Sequence, residues 1–347
     1  MADIQKQLID FDKEIRLGRF EESATLRDKK DKVLSKLKSN FKNQFTEGET
    51  IPTYTTFNQG SYKLGTGVVP KNGDYDIDVG IVFDLSVDDY KAFDVKEWIR
   101  KSLHNHTNHV KNLKPCVRVQ YQIDDEPVYH VDLAIYIEKD GKVSLARGTD
   151  SENAFWENAD PYGLIDIIEN CQYESDDKDQ FRRVIRFLKR WKENVFTSVN
   201  GKPTGIALTL CAYKWFNPVY KKDRVSLIKK YDDLSALINL LESIFLAFSK
   251  TYNYEEQEYK YSIVLNKPTA PFDNIFSKMS LKQMETLYDK IESLKKALQN
   301  AKNEIDPHEA CNIIKKALKD DADFPVPTKA EAARRNNPVI IQPTQSA

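Results

Sequence analysis

The chain has 347 residues, 40% of them hydrophobic, which is enough for two domains or one bilobal unit with a sizeable core and makes disorder a poor default. Lys and Arg total 52 against 53 Asp and Glu, a formal net charge of −1, so no global basic field draws it to nucleic acid or to an anionic membrane. The four cysteines, Cys116, Cys171, Cys211 and Cys311, are scattered and form no CxxC pair, which argues against a disulfide framework or zinc ribbon and for a reducing cytosol.

The opening stretch MADIQKQLIDFDKEIRLGRF lacks the apolar core of a signal peptide, and no run approaches the roughly 18 apolar residues of a membrane span. A soluble, cytoplasmic protein with no membrane partner is expected. Residues 2 to 46 hold almost no Gly or Pro, and Ile4, Leu8, Ile9, Phe11, Ile15, Leu17 and Phe20, then Leu26, Val33, Leu34, Leu37 and Phe41, recur at near-helical spacing. Residues 1–47 therefore predict one long N-terminal helix, or two joined near Gly18.

Residues 48–160 change to short β-rich runs, TYTTF, DIDVGIVF, CVRVQYQI and YHVDLAIYI, with a helical stretch over 88 to 107 between them. Residues 161–323 read almost wholly as helix, and Asp306 and Pro307 form a plausible cap and first position for the last one. Residues 324–347 are proline-rich and predict a mobile C-terminal tail.

Three carboxylates stand out. Asp76 and Asp78 in YDIDVGIVF project to one face of a strand whose Ile77 and Val79 project to the other, and Asp132 sits in YHVDLAIYI. Acids paired on an apolar strand repel each other and resist desolvation unless something positive is present. A divalent metal answers that need, and the alternative is that one or more of them caps a strand or pairs with a basic residue. Gly60 and Ser61 precede these strands in FNQGSYKLGTG, where a glycine permits close backbone approach and a hydroxyl can hold phosphate. Lys63 faces either the same phosphates or solvent, and Gln59 more simply braces the turn than reads a base. His104, His106, His109 and Cys116 make a poor zinc site without a second pair of ligands, and His130, two residues before Asp132, reads first as a satisfied polar contact.

The order NQGSYKLGTGVVPKNGDYDIDVGIVF followed by HVDLAIYI resembles the DNA-polymerase-β-like nucleotidyltransferases. With the N-terminal helix and the later FLKRWKEN and KPTGIALTL, it is most similar to the bacterial cyclic-oligonucleotide synthases, relatives of oligoadenylate synthase and cyclic GMP-AMP synthase. That resemblance implies an α+β, bilobal nucleotidyltransferase: a mixed β-sheet catalytic lobe plus a helical lobe, braced by the long N-terminal helix. It implies a template-independent enzyme that joins NTPs, ATP among them, into a cyclic di- or trinucleotide with loss of pyrophosphate, in anti-phage signalling. Two Mg²⁺ ions, or Mn²⁺ in their place, would be held by Asp76, Asp78 and Asp132. Gly60, Ser61, Lys189, Thr204 and Arg186 would bind the nucleotide, although Thr204 is also placed to cap a helix and Lys189 to be a solvated charge. A regulatory protein, or a ubiquitin-like ligase acting on the tail ending in Ala347, is a further implied partner. The rival readings are an RNA-tailing or tRNA-end-adding nucleotidyltransferase, for which overall neutrality offers no RNA-binding extension, and an inactive nucleotide-binding module.

Overall fold

The computed structural model describes residues 2–18, 20–124, 126–171, 173–196, 202–226, 228–320 and 323–336. The expected N-terminal helix is two helices. In α1 (Gln5–Ile15) the spacing of Ile4, Leu8, Phe11 and Ile15 puts all four on one buried stripe. Arg16 is extended and Gly18 takes φ +124°, a conformation closed to most L side chains, so the chain turns before α2 (Phe20–Asn40) begins. The break has a purpose in packing: α1 buries its stripe in the helical-lobe core, whereas Leu26, Val33 and Leu37 of α2 enter the core beneath the sheet.

The sheet lobe follows as β1 (Tyr54–Asn58), α3 (Gly60–Leu64), β2 (Tyr75–Phe83), α4 (Ala92–Leu103), β3 (His109–Asn112), β4 (Val117–Ile123), β5 (Glu126–Lys139), β6 (Lys142–Arg147) and β7 (Phe155–Asn158). The main sheet runs β1-β2-β5-β4-β3, with β2 and β5 parallel and the other pairs antiparallel. The strand β6 pairs with β5, and β7 with β6. Alternation divides the two central strands. Ile77, Val79, Ile81 and Phe83 of β2, with Val131, Leu133, Ile135 and Ile137 of β5, are buried in one core with Leu26, Val33 and Leu37 of α2 and with Val95 and Ile99 of α4. On the opposite face Asp76, Asp78, His130 and Asp132 share a side with Val82, Ala134 and Tyr136, which form a small apolar cluster of their own.

The helical lobe comprises α5 (Pro161–Glu169), α6 (Ser175–Val195), α7 (Gly205–Trp215), the hairpin β8 (Tyr220–Lys222) and β9 (Lys229–Tyr231), α8 (Asp233–Leu246), the hairpin β10 (Phe248–Asn253) and β11 (Glu258–Ile263), α9 (Leu281–Asn303), α10 (Pro307–Leu318) and α11 (Lys329–Asn336). Asp306 caps α10 by accepting from the His308 amide, with Pro307 at the first helical position, as expected. The two hairpins interrupt the expected run of helices. In the second, Phe248 and Tyr261 pack on Tyr288 of α9, with ring centroids 5.4 and 4.3 Å away, while Tyr252, Tyr254 and Tyr259 are exposed.

The stretch read as a tail from residue 324 begins with ordered contacts. Phe324 is buried against Phe11 at 5.0 Å between ring centroids, His308 meets the Pro327 carbonyl, and Ala332 of α11 is buried. One aromatic ring with a core partner outweighs the proline-rich composition around it. Ala347 and the last residues before it lie outside the described residues, as does Gly201. No described helix is long and apolar enough to cross a membrane.

The two lobes are joined at residues 65–70, the start of the connection between α3 and β2. Leu17 donates its amide to the Gly67 carbonyl and Val69 to that of Ile15, while Arg186 of α6 reaches the Gly65 carbonyl at 2.6 Å. Arg186 is almost fully buried and holds Asp12 of α1 in a two-point ion pair, at 2.6 and 3.0 Å. Breaking a buried pair strands an uncompensated charge at about 3–5 kcal/mol. Asp12→Ala should lower stability by that order in urea unfolding, and Asp12→Leu combined with Arg186→Met should recover most of the loss.

Candidate active site

The parallel pairing of β2 with β5 sets Asp76 opposite His130 and Asp78 opposite Asp132, which brings all three expected carboxylates to one patch of one sheet face. One ligand atom from each of Asp76, His130 and Asp132 lies within 4.8 Å of the others, a spacing a single cation can bridge. Asp78 is displaced toward the Gly60 turn. The Gln59 amide donates to the Asp78 carbonyl at 3.1 Å, and Gly60, at φ +67°, lies so close that a Cβ there would meet Asp78 Oδ2 at 1.9 Å. Gly60 is thus required both by its dihedral and by the carboxylate it touches. Tyr136 donates to Gln59 Oε1 at 3.0 Å, so Gln59 braces the turn, while Lys63 pairs with Glu169 and not with the cleft.

Two cations built into the sheet answer part of the repulsion. Arg118, directly across from Asp132 on β4, donates to both its oxygens at 2.7 Å. His130 sits between Asp74 at 2.9 Å and Asp76 at 3.1 Å. Burial opposes its charge, but the hydrogen bonds and attraction of Asp76 and Asp74, with Asp132 behind them, prevail and hold its pKa up at about 9. Asp78 has no such partner: burial first, then the charges of Asp76 and Asp132, push it up to about 7 despite His130 and Arg118. A carboxyl driven toward protonation beside two further carboxylates, of which Asp76 and Asp132 have ligand atoms within one cation's reach, is an oxygen donor set that fits a hard divalent ion.

These acids open onto a cavity of about 400 Å³ whose sheet side carries Gly60, Ser61, Asp74, Asp76 and Asp78. Asp132 is nearly buried under Arg118 and lies behind that lining. The helical side presents Lys189, Lys192 and Glu193 from α6 and Thr209 from α7. Lys189 donates to the Thr66 carbonyl and hydroxyl, both at 3.0 Å, and burial, reinforced by Lys192, brings its pKa down to about 7. Lys189 is therefore a cleft residue and not a solvated charge.

Two expected nucleotide contacts are placed elsewhere. Arg186 is spent on Asp12 and the Gly65 carbonyl, one helical turn behind Lys189, and does not line the cavity. Thr204 is exposed and caps α7, accepting from the Ala207 amide at 3.2 Å, while Thr209 faces the cavity. Arg118, Asp74, Lys192 and Glu193 were not anticipated. A signal existed for two of them: Arg118 is a polar residue on the same alternation as the acids, and Lys192 lies three residues beyond Lys189 on one helix face. His104 bonds the Lys101 carbonyl and His106 the Tyr121 hydroxyl, and among the described residues the acid–histidine cluster at Asp76 is the one group spaced for a metal.

The pH behaviour of the metal-free chain follows from Asp78. Its folded pKa lies above the unfolded value, so between about pH 4 and 7 the folded chain holds a proton the unfolded chain releases, and stability falls as pH rises through that window. Asp78→Asn should raise the metal-free Tm, by more at pH 8 than at pH 5, as read by thermal unfolding in EDTA. Gly60→Ala should keep the fold but displace Asp78, with loss of activity of about 100-fold in steady-state turnover.

Residues 54–136 match the model of the nucleotidyltransferase domain of DncV-like cyclic GMP-AMP synthases. A cyclic GMP-AMP synthase from Escherichia albertii is 32% identical over 139 residues, which cover 38% of this chain and 30% of that relative, so the match spans less than a third of its length. In fold, the Vibrio cholerae DncV cyclic AMP-GMP synthase superposes with a TM-score of 0.65 at 15% identity, over 95% of this chain and 99% of that one. Escherichia coli CdnC, solved with ATP, gives a TM-score of 0.61 at 16% identity, over 92% and 98%. Residues 54–136 thus match the DncV-like nucleotidyltransferase-domain model, and the chain shares the DncV fold over nearly its whole length.

Proposed function

We propose that the chain is a template-independent nucleotidyltransferase that joins NTPs, ATP among them, into a cyclic di- or trinucleotide with release of pyrophosphate, in cytoplasmic anti-phage signalling. The observation that carries this reading is the convergence of Asp76, Asp78 and Asp132 on one sheet face, with Asp76 and Asp78 opening beside Gly60 and Ser61 onto a cavity whose other wall carries Lys189 and Lys192. The names of its relatives support it: DncV has been captured with a linear pppApG intermediate, and CdnC with ATP.

In this reading Gly60 lets the donor triphosphate approach the backbone, and the Ser61 hydroxyl donates to it. Lys189 and Lys192 stand on the opposite wall, where Lys189 is oriented by Thr66 and a bound triphosphate would favour the charged form of both amines. Two Mg²⁺ ions, or Mn²⁺, held by Asp76, Asp78 and Asp132, would neutralise the triphosphate and acidify the acceptor hydroxyl. Asp78 must give up its proton to serve, so ion affinity should climb about tenfold per pH unit below about pH 7. Arg118 fixes the orientation of Asp132 from behind. Attachment of Ala347 to other proteins by a ubiquitin-like ligase, or docking of a regulatory protein on the tail, belongs to the same proposal.

Incubation with labelled NTPs and Mg²⁺ should yield small phosphatase-resistant products, whereas extended RNA or no turnover would overturn the proposal. Asp132→Ala should reduce turnover by about 1,000-fold or more. Arg118→Met should weaken Mg²⁺ affinity by about 10–100-fold, measured by metal titration of the rate, because it loosens a ligand without removing it.

A further inference from the structure

A second cavity, of about 430 Å³, opens at the other end of α1, between its first turn, the β8–β9 hairpin, the start of α8 and the end of α9. Lys221, Lys230 and Lys302 line it, over an apolar floor that includes Ile4, Leu8 and Leu234. Lys221 and Lys230 are directly opposed across the hairpin, a like-charge pair that weakens a two-stranded sheet. The next pair, Lys222 and Lys229, lies on the hairpin's other face, and there Lys229 is neutralised by Glu174 at 2.6 Å and Asp177 at 3.1 Å. Toward the cavity no described acid forms an ion pair with any of the three lysines.

The two acids that do line the cavity hydrogen-bond within the starts of α1 and α8, so three lysines share the space with two carboxylates. Asp3 accepts from the Gln5 amide, and Asp232 caps α8 through the Ser235 amide and hydroxyl. Gln5 accepts from the Asp233 amide through its Oε1 and ties the first turn of α1 to α8. The first turns of α1 and α8 both border the space and add the positive ends of two helix dipoles. A surplus of lysine over carboxylate, a like-charge lysine pair with no ion-pair partner and two helix N-termini all favour an anionic occupant. Lysine is a point-charge binder of phosphate, suited to a cavity with no rigid fork geometry.

We infer that this cavity is a second binding site, for a small phosphorylated anion carrying at least two negative charges. It lies apart from the catalytic cleft, at the opposite end of a helix whose far end is hydrogen-bonded to the cleft loop at Gly67 and Val69. The inference does not depend on nucleotidyl transfer, since it concerns binding alone.

The test is calorimetric titration of the full chain with inorganic tripolyphosphate in EDTA, where the metal-free cleft, lined by Asp74, Asp76 and Asp78, repels the probe. Binding is expected in the wild type and in Ser61→Ala, and should weaken by about tenfold or more in Lys221→Gln/Lys230→Gln, from loss of two near charges. The ligand-free Tm of that double variant should be equal to or above wild type, because the cross-strand repulsion is relieved. Unchanged affinity in the double variant, or loss of binding in Ser61→Ala, would overturn the site. A marked fall in the ligand-free Tm would overturn it as well, since the lysines would then be structural.

Discussion

The mutual repulsion of carboxylates gathered on one face of a sheet is the constraint around which this molecule is built. Four acids, Asp74, Asp76, Asp78 and Asp132, crowd a region that the parallel register of β2 and β5 makes unavoidable. The sheet answers with Arg118 on Asp132 and with a His130 kept charged by Asp74 and Asp76. That compensation is incomplete by one carboxylate. Asp78 is left to hold a proton near neutrality, which is the condition of a site that trades protons for cations.

Holding such a site together requires a rigid frame, and the frame comes from outside the sheet. The first part of the connection between α3 and β2 is pinned by backbone bonds from the end of α1 and by side chains from α6. Arg186 and Lys189, one turn apart on α6, divide the labour. The first locks α1 to the helical lobe through Asp12, and the second, held by Thr66, presents an amine to the cavity. The break at Gly18 permits this arrangement, since a continuous helix could not bury one stripe in the helical lobe and another beneath the sheet.

The same economy of charge appears at the other end of α1. There, Lys229 on one hairpin face is matched by acids while Lys221 and Lys230 on the other form no ion pair with a described acid, in a chain whose overall charge is almost balanced. A balanced total therefore conceals local imbalance of both signs: an acidic patch that calls for cations and a basic recess that calls for an anion.

The acids, the Gly-Ser turn, the alternation of the central strands and the helical character of the second half were legible in the sequence, because each rests on contacts between near neighbours in the chain. Strand periodicity alone puts Asp76 and Asp78 on one side, and a cap such as Asp306 acts within a single turn. What the sequence could not decide was which partner each charge would meet. Arg118 reaches Asp132 only through the register of β4 on β5, and Arg186 turns to Asp12, distant in sequence, where a nucleotide contact had been expected. Thr204 caps α7 through a contact within one turn, whereas only the packing of α7 against the cleft made Thr209 a wall residue. Phe324 became core because Phe11 was there to receive it. Local periodicity therefore determined which residues form strands and helices and which acids share a face, while long-range register and helix packing decided what those acids and lysines touch, since a side chain's partners depend on segments the chain brings together only when it folds.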